Sequence, residues 1–357
     1  MAAQSRVYRQ AATRLGPTAA IMGMALLCLA LLAGMTSLLG ENYRADPPFL
    51  DPFRAPTRDE AMIVYPAEYA LKSNEYNDVL FIGDSTCRCS IDPVVFEQAS
   101  GLRAYNLGSM GALGMDGYRL LLQVYLEHHP KPRVAVLAVT PDDFDSEASE
   151  NLGDFPHRFR WSYGPHREGT LRLPEDVESV KFFARRGVGV GLALWAEPFA
   201  ERRFDPRVQF LEGGGKHTYL TLEVKVQKSR GFWALTGKHW PAGTDPPNKP
   251  TVTVARQWSP GISELAKLAD ANGVALVVRL VPIVDTVKTD YSPVREWLNG
   301  LEREHPRLTV VRPEILLYNA ELCWDYQHLN AEGVEKFSRG LAQDVTAVLS
   351  KSRAPPQ

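Results

Sequence analysis

Three side chains far apart in the chain have the chemistry of an activated nucleophile. Ser85 ends the string Gly83-Asp84-Ser85, and Asp325 and His328 lie in Asp325-Tyr326-Gln327-His328. A serine hydroxyl attacks carbonyls only when a base takes its proton. On a turn, an acid three residues before a histidine can fold back onto the imidazole. It then fixes the tautomer and stabilises the cation that forms when the ring accepts a proton. The other ring nitrogen is left for the serine. Of eight histidines, only His328 combines an acid at this spacing with a position beside a predicted sheet edge. Gly83 and Asp84 alone are ordinary turn residues, so the assignment rests on the distant pair. Asp84 is expected to brace the turn by hydrogen bonds and to take no part in the chemistry.

The scaffold must bring positions 85 and 328 together. Val79 to Ile82 is an apolar run that predicts a buried parallel strand, with Ser85 at its C-terminal edge. Open α/β sheets bind ligands at that edge. Asp92-Pro93 starts a helix that ends near Gly101. Arg103 to Leu107 is a second strand, followed by Gly108-Ser109-Met110-Gly111. Residues 115–128 form a helix with Tyr118, Leu121, Leu122 and Tyr125 on one face, and Val134 to Val139 form a third strand that ends at Thr140-Pro141-Asp142-Asp143. This alternation implies a parallel sheet with right-handed crossovers.

It resumes with a helix from Ser259-Pro260, a strand over Val274 to Val278, a helix from Ser292-Pro293 to about Glu304 and a strand over Leu308 to Val311. Asn330 caps a last helix that carries Val334, Phe337, Leu341, Val345 and Val348 at helical spacing. Residues 141–255 break the pattern, carry many aromatics and read as a large insertion, with a helical stretch over Pro174 to Ala200. Gly187-x-Gly189-x-Gly191 follows no strand and lacks the spacing of a phosphate loop.

Composition narrows the partners. Arg6, Arg9 and Arg14 precede an uncharged stretch from Thr18 to Gly40, and no acid does; the remainder carries 37 basic against 42 acidic residues. A mildly acidic body does not match nucleic acid. The stretch at 18–40 is long enough to cross a bilayer as a helix, and the upstream arginines place residues 1–17 in the cytoplasm. An uncleaved anchor is preferred to a cleaved signal peptide, whose apolar core is about 7–15 residues. The rest is then expected in the periplasm or outside. Residues 41–76, rich in proline, read as a linker; 77–350 as the domain containing the insertion; and 351–357 as a disordered tail. Cys87, Cys89 and Cys323 flank the two motifs, so a bridge from Cys323 to Cys87 or Cys89 is geometrically thinkable, as are free thiols. No metal or nucleotide site is legible, and no cofactor is expected.

Gly83-Asp84-Ser85 and Asp325-Tyr-Gln-His328-Leu-Asn resemble the first and last blocks of the SGNH (GDSL-type) hydrolase superfamily. Asn106-Leu107-Gly108 resembles its second block. The resemblance covers residues about 78–140 and 258–350. It implies a flavodoxin-like three-layer α/β sandwich and a triad of Ser85, Asp325 and His328. The implied oxyanion donors are the backbone N–H groups of Ser85 and Gly108. The third block of the family supplies an asparagine donor; this strand ends in Thr140-Pro141-Asp142-Asp143 instead, and the Thr140 hydroxyl is the substitute at hand. Tyr105-Asn106-Leu107-Gly108-Ser109-Met110-Gly111 and the anchor resemble the membrane-anchored branch that includes alginate acetylation proteins and the D-alanyl transfer protein of teichoic acid synthesis.

That likeness implies an extracytoplasmic O-acyltransferase, with acetyl as the expected acyl group. It would act on a cell-surface or secreted polysaccharide through an acyl-serine, with a multi-pass membrane acyltransferase as donor. An SGNH esterase of glycans or lipids uses the same triad. A non-catalytic subunit of a polysaccharide export complex is the reading from another class.

Overall fold

The computed structural model describes residues 58–72, 74–144, 226, 228–235, 258–286 and 292–352, with helical positions at 23, 24, 27, 28 and 31. The chain divides into two compact units, residues 1–54 with 173–206, and residues 55–172 with 207–357. Apart from the five helical positions, the expected anchor lies outside the described residues, as do most of the insertion, including the helical reading of Pro174 to Ala200, and the tail from 353. Among the described residues no helix is long and apolar enough to cross a membrane.

Apolar runs without polar alternation need both faces covered. Val79–Gly83 (β1) and Val134–Val139 (β3) are such runs, and every residue in them is buried. With Ala104–Asn106 (β2), Ala275–Leu280 (β4) and Leu308–Val310 (β6) they form one parallel sheet in the order β2-β1-β3-β4-β6. This is the order of flavodoxin-like sheets, and its switch point lies between β1 and β3. Register sets Gly83 beside Ala138 there. A separate parallel pair, Ile283–Val284 (β5) and Leu317–Tyr318 (β7), was not expected; two-residue strands are too short to show a period.

The helices follow their punctuation. Ser85–Ser90 (α2) starts on the Asp84 cap. Pro93–Ser100 (α3) has Asp92 as N-cap, proline at its first position and a left-handed Gly101 as C-cap. Gly114–His128 (α4) buries Tyr118, Leu121, Leu122 and Tyr125, the face expected from spacing. Gly261–Asn272 (α5), Ser292–Glu304 (α6) and Ala331–Ser352 (α7) complete the set. Helices α3 and α7 pack together under one face of the sheet, where Phe96, Phe337 and Leu341 join Val79, Phe81, Val136 and Val277 in one core. On the other side α4 meets β1, α5 meets β4, and the two helices meet each other.

Part of the expected linker is a helix, Arg58–Lys72 (α1), packed on α4. Its Pro66 removes an internal hydrogen bond. Burial of Met62, Ile63, Tyr65, Ala67 and Ala70 offsets that loss, and Tyr69 stacks on Tyr105 at 3.4 Å. A described part of the insertion, residues 228–235, lies beside the free edge of β2. Asn106 N–H donates to the Arg230 carbonyl, and Arg230 pairs with Glu97. Covering an edge in this way blocks pairing with another chain.

At Gly83, beside the candidate nucleophile, the backbone tolerates no side chain. Its φ is +151°, and a Cβ would lie 1.9 Å from the Ala138 carbonyl oxygen. Gly83→Ala is expected to destabilise the protein by roughly 3 kcal/mol or more. A drop in the denaturant midpoint checks this.

Candidate active site

Asp84 stops β1 and starts α2. Its carboxylate accepts from Thr86 N–H at 3.0 Å, Cys87 N–H at 3.1 Å and the Thr86 hydroxyl at 2.5 Å. This is the bracing role expected of it. Ser85, the first residue of α2, is turned toward the loop that precedes α7.

That loop is closed on itself. Trp324 N–H donates to the His328 carbonyl at 2.8 Å, and Asn330 N–H to the Leu322 carbonyl at 3.1 Å. Asn330 then caps α7 by accepting from Glu332 and Gly333 N–H. Inside the turn, Asp325 Oδ1 accepts from Gln327 N–H at 2.8 Å and His328 N–H at 2.7 Å. Asp325 Oδ2 faces His328 Nδ1 at 2.8 Å. A carboxylate is acceptor only, so Nδ1 carries the proton and Nε2 is the free acceptor. Nε2 lies 3.1 Å from Ser85 Oγ. Burial opposes ionisation of Asp325, but the hydrogen bonds and charge of His328 and the two backbone donors outweigh it, so its carboxyl sits below the usual value. The structure thus brings Ser85, His328 and Asp325 into one hydrogen-bonded chain. Such a chain can move a proton from a hydroxyl to an imidazole.

The expected oxyanion donors are placed differently. Ser85 N–H, at the open start of α2, has no hydrogen-bond partner among the described residues, as first-turn amides often do not. Gly108 N–H donates to Asn106 Oδ1 at 2.8 Å. The Thr140 hydroxyl is taken by the carboxylates of Asp142 and Asp143. Thr140 therefore braces its own turn. The physical reason is the local pair of acids, which outcompete a more distant acceptor for its single proton.

Several neighbours have bonds that the sequence does not show. Buried Asn106 donates to the Cys87 carbonyl at 3.0 Å and the Ile91 carbonyl at 2.9 Å, tying the end of α2 to the loop after β2. Gln327 Nε2 donates to Asp142 Oδ2 at 3.3 Å, which joins the histidine loop to the turn after β3. Asp143 and Asp84 are both buried and hydrogen-bonded to each other. Burial, then the charges of Asp84 and Asp142, then that bond, push the Asp143 carboxyl well up. Asp84 is raised as well, first by burial, while its bonds from Thr86 and Cys87 work the other way. Of the two, Asp143 is pushed up further, so a proton held between the carboxyls favours Asp143 over Asp84.

Among the expected alternatives for the cysteines, no disulfide forms. Cys87, Cys89 and Cys323 are buried thiols. Burial pushes Cys87 well up and Cys323 up to about 12, so neither is a ready nucleophile. Cys87 and Cys323 sit in the core with α7, whereas Cys89 packs with Met62, Tyr65 and Trp233. Alkylation under denaturing, non-reducing conditions is expected to find all four cysteines of the chain as thiols; two would mean a bridge.

Neither a protein-family model nor a curated relative matches the chain.

Proposed function

We propose that the chain is an O-acyltransferase of the SGNH type. In this reading it is membrane-anchored through residues 18–40, faces outward, and acylates a cell-surface or secreted polysaccharide, with acetyl as the acyl group. The observation that carries the proposal is the continuous chain Ser85–His328–Asp325 at the C-terminal edge of β1, beside the switch point of the sheet.

The chemistry runs in two halves. His328 Nε2 takes the Ser85 proton as Oγ bonds to the acyl carbonyl carbon. The bond to the donor breaks, and the leaving group departs with the proton from His328. An acyl-serine remains. A sugar hydroxyl then gives its proton to His328 and bonds to the same carbon, and Ser85 leaves and recovers the proton. Asp325 holds the imidazole in place and stabilises the cation in both halves. In this reading the Ser85 N–H is the donor to the tetrahedral oxyanion. A multi-pass membrane acyltransferase is the donor that suits a site outside the cytoplasm.

Ser85, Gln327 and His328 are only half-buried, which leaves water as a competing acceptor. That favours an esterase as the second reading, because the same acyl-serine then releases free acid. The deciding experiment gives the purified full-length chain an activated acetyl ester with and without an oligosaccharide acceptor. Transfer is supported when the acceptor gains acetyl esters and acetate release falls. Acetate release that ignores the acceptor contradicts transfer and supports hydrolysis. A chain that does neither contradicts both.

A further inference from the structure

Arg88 lies three residues after Ser85 in α2 and is wholly buried. Arginine is seldom buried unless a carboxylate pairs with it, because removing the charge from water is unfavourable. Here Arg88 forms no ion pair among the described residues. Its Nη1 donates to the Gly108 carbonyl at 2.6 Å and, more weakly, to the Met62 carbonyl at 3.5 Å. The guanidinium lies 5.7 Å from the Trp233 ring centroid, and among the described residues Nε and Nη2 have no hydrogen-bond partner. Burial therefore lowers the Arg88 pKa from its ordinary value, although an arginine keeps its proton.

Two consequences reach the candidate site. The first is mechanical. The peptide whose carbonyl Arg88 holds also carries the Ser109 N–H, which donates to the Gly83 carbonyl at 2.8 Å. Arg88 thus fastens the loop after β2 to the last residue of β1, directly before the Asp84–Ser85 turn. The fit is close, since a Cβ on Gly108 would lie 2.6 Å from the Arg88 backbone nitrogen. The second is electrostatic. A fixed positive charge in apolar surroundings is weakly screened. It lies behind a site where Gly108 N–H and the Thr140 hydroxyl are already engaged.

We infer that Arg88 is a positioning residue for acyl transfer at Ser85. It holds the Gly108–Ser109 peptide against the nucleophile turn, and its buried charge favours the anionic tetrahedral state. The inference rests on Ser85 being the nucleophile.

A plain structural strut would lose rate and stability together; the inference separates them. Arg88→Met removes an unpaired buried charge while keeping much of the side chain's bulk, and Arg88→Lys keeps the charge and the reach toward Gly108. The full-length chain is treated with an alkyl fluorophosphonate, which phosphonylates an activated serine as fluoride leaves and so resembles the tetrahedral state. The wild type is expected to label at Ser85. Arg88→Met is expected to label about tenfold or more slowly, with a melting midpoint within about 4 °C of the wild type. Arg88→Lys is expected to stay within about threefold of the wild-type rate.

Wild-type labelling by Arg88→Met overturns the inference. Loss of folding in both variants also overturns it, because it makes Arg88 a general strut. A wild type that does not label at Ser85 is a separate failure, of the nucleophile assignment itself, and is seen before any variant is tested.

Discussion

Replacing Ser85 with alanine is expected to lower acyl transfer about 10⁴-fold or more while leaving the melting curve unchanged. The hydroxyl is the only group lost, and alanine is well tolerated in the first turn of a helix. The cap that starts α2 comes from Asp84, not from Ser85. His328→Ala should cost a similar factor, because without Nε2 nothing at 3.1 Å takes the Ser85 proton. The two losses should not add: the double variant is expected to be no slower than either single one, as happens when residues act as a unit. Initial rates with an activated acetyl ester, set against thermal melts of the same samples, check all three. A Ser85→Ala protein that retains its rate removes the nucleophile from the account.

The second large effect concerns the acids beneath the nucleophile. Asp143 is faced by Asp84 from the β1–α2 turn, by Tyr118 of α4, whose hydroxyl is 3.3 Å away, and by Thr140 and Asp142 from its own turn. No cation is among these groups. Its folded carboxyl titrates well above its unfolded value, burial being the main cause. The sign follows by linkage: the contribution to stability is full below the unfolded value near pH 3.9, and it is lost as pH rises through the raised folded value.

Wild-type melting midpoints should therefore fall as pH is raised from the unfolded carboxyl value near 3.9 through the raised folded value. Asp143→Asn should flatten that limb, because its amide donates to Asp84 at every pH. Asp143→Ala should be less stable than the wild type at about pH 5 by roughly 2 kcal/mol, since it leaves a buried gap and removes the donor to Asp84. Melting curves of the three proteins across pH decide it. An alkaline limb that survives unchanged in Asp143→Asn places the titration elsewhere.

Much of the scaffold was legible because its signals are local. Val134–Val139 is an unbroken apolar run, Asp92-Pro93 and Ser292-Pro293 mark helix starts, and Asn330 precedes an apolar helical face; each is where it was expected. The Asp325–His328 pair was legible because both sit on one turn, so spacing alone brings their side chains together. What was missed depends on distant packing. The helix Arg58–Lys72 carries Pro66 and follows a proline-rich stretch, and its buried face has a purpose only once α4 lies against it. Nothing in the sequence singles out Arg88, and only the folded chain places Met62, Gly108 and Trp233 around it. The engagement of Gly108 N–H by Asn106 is a matter of side-chain direction within a three-residue loop, which no periodicity records.

The most direct test of the account is the covalent state of Ser85. The full-length chain is mixed with an activated acetyl ester, quenched in acid within the first turnover and digested with trypsin. The peptide of residues 73–88 carries Ser85 between Lys72 and the cleavage after Arg88. The account predicts one acetyl group on that peptide, placed on Ser85 by fragmentation, absent from Ser85→Ala and discharged when an oligosaccharide acceptor is added before the quench. A peptide that stays unmodified while the ester is consumed, or an acetyl group on another residue that persists in Ser85→Ala, contradicts it.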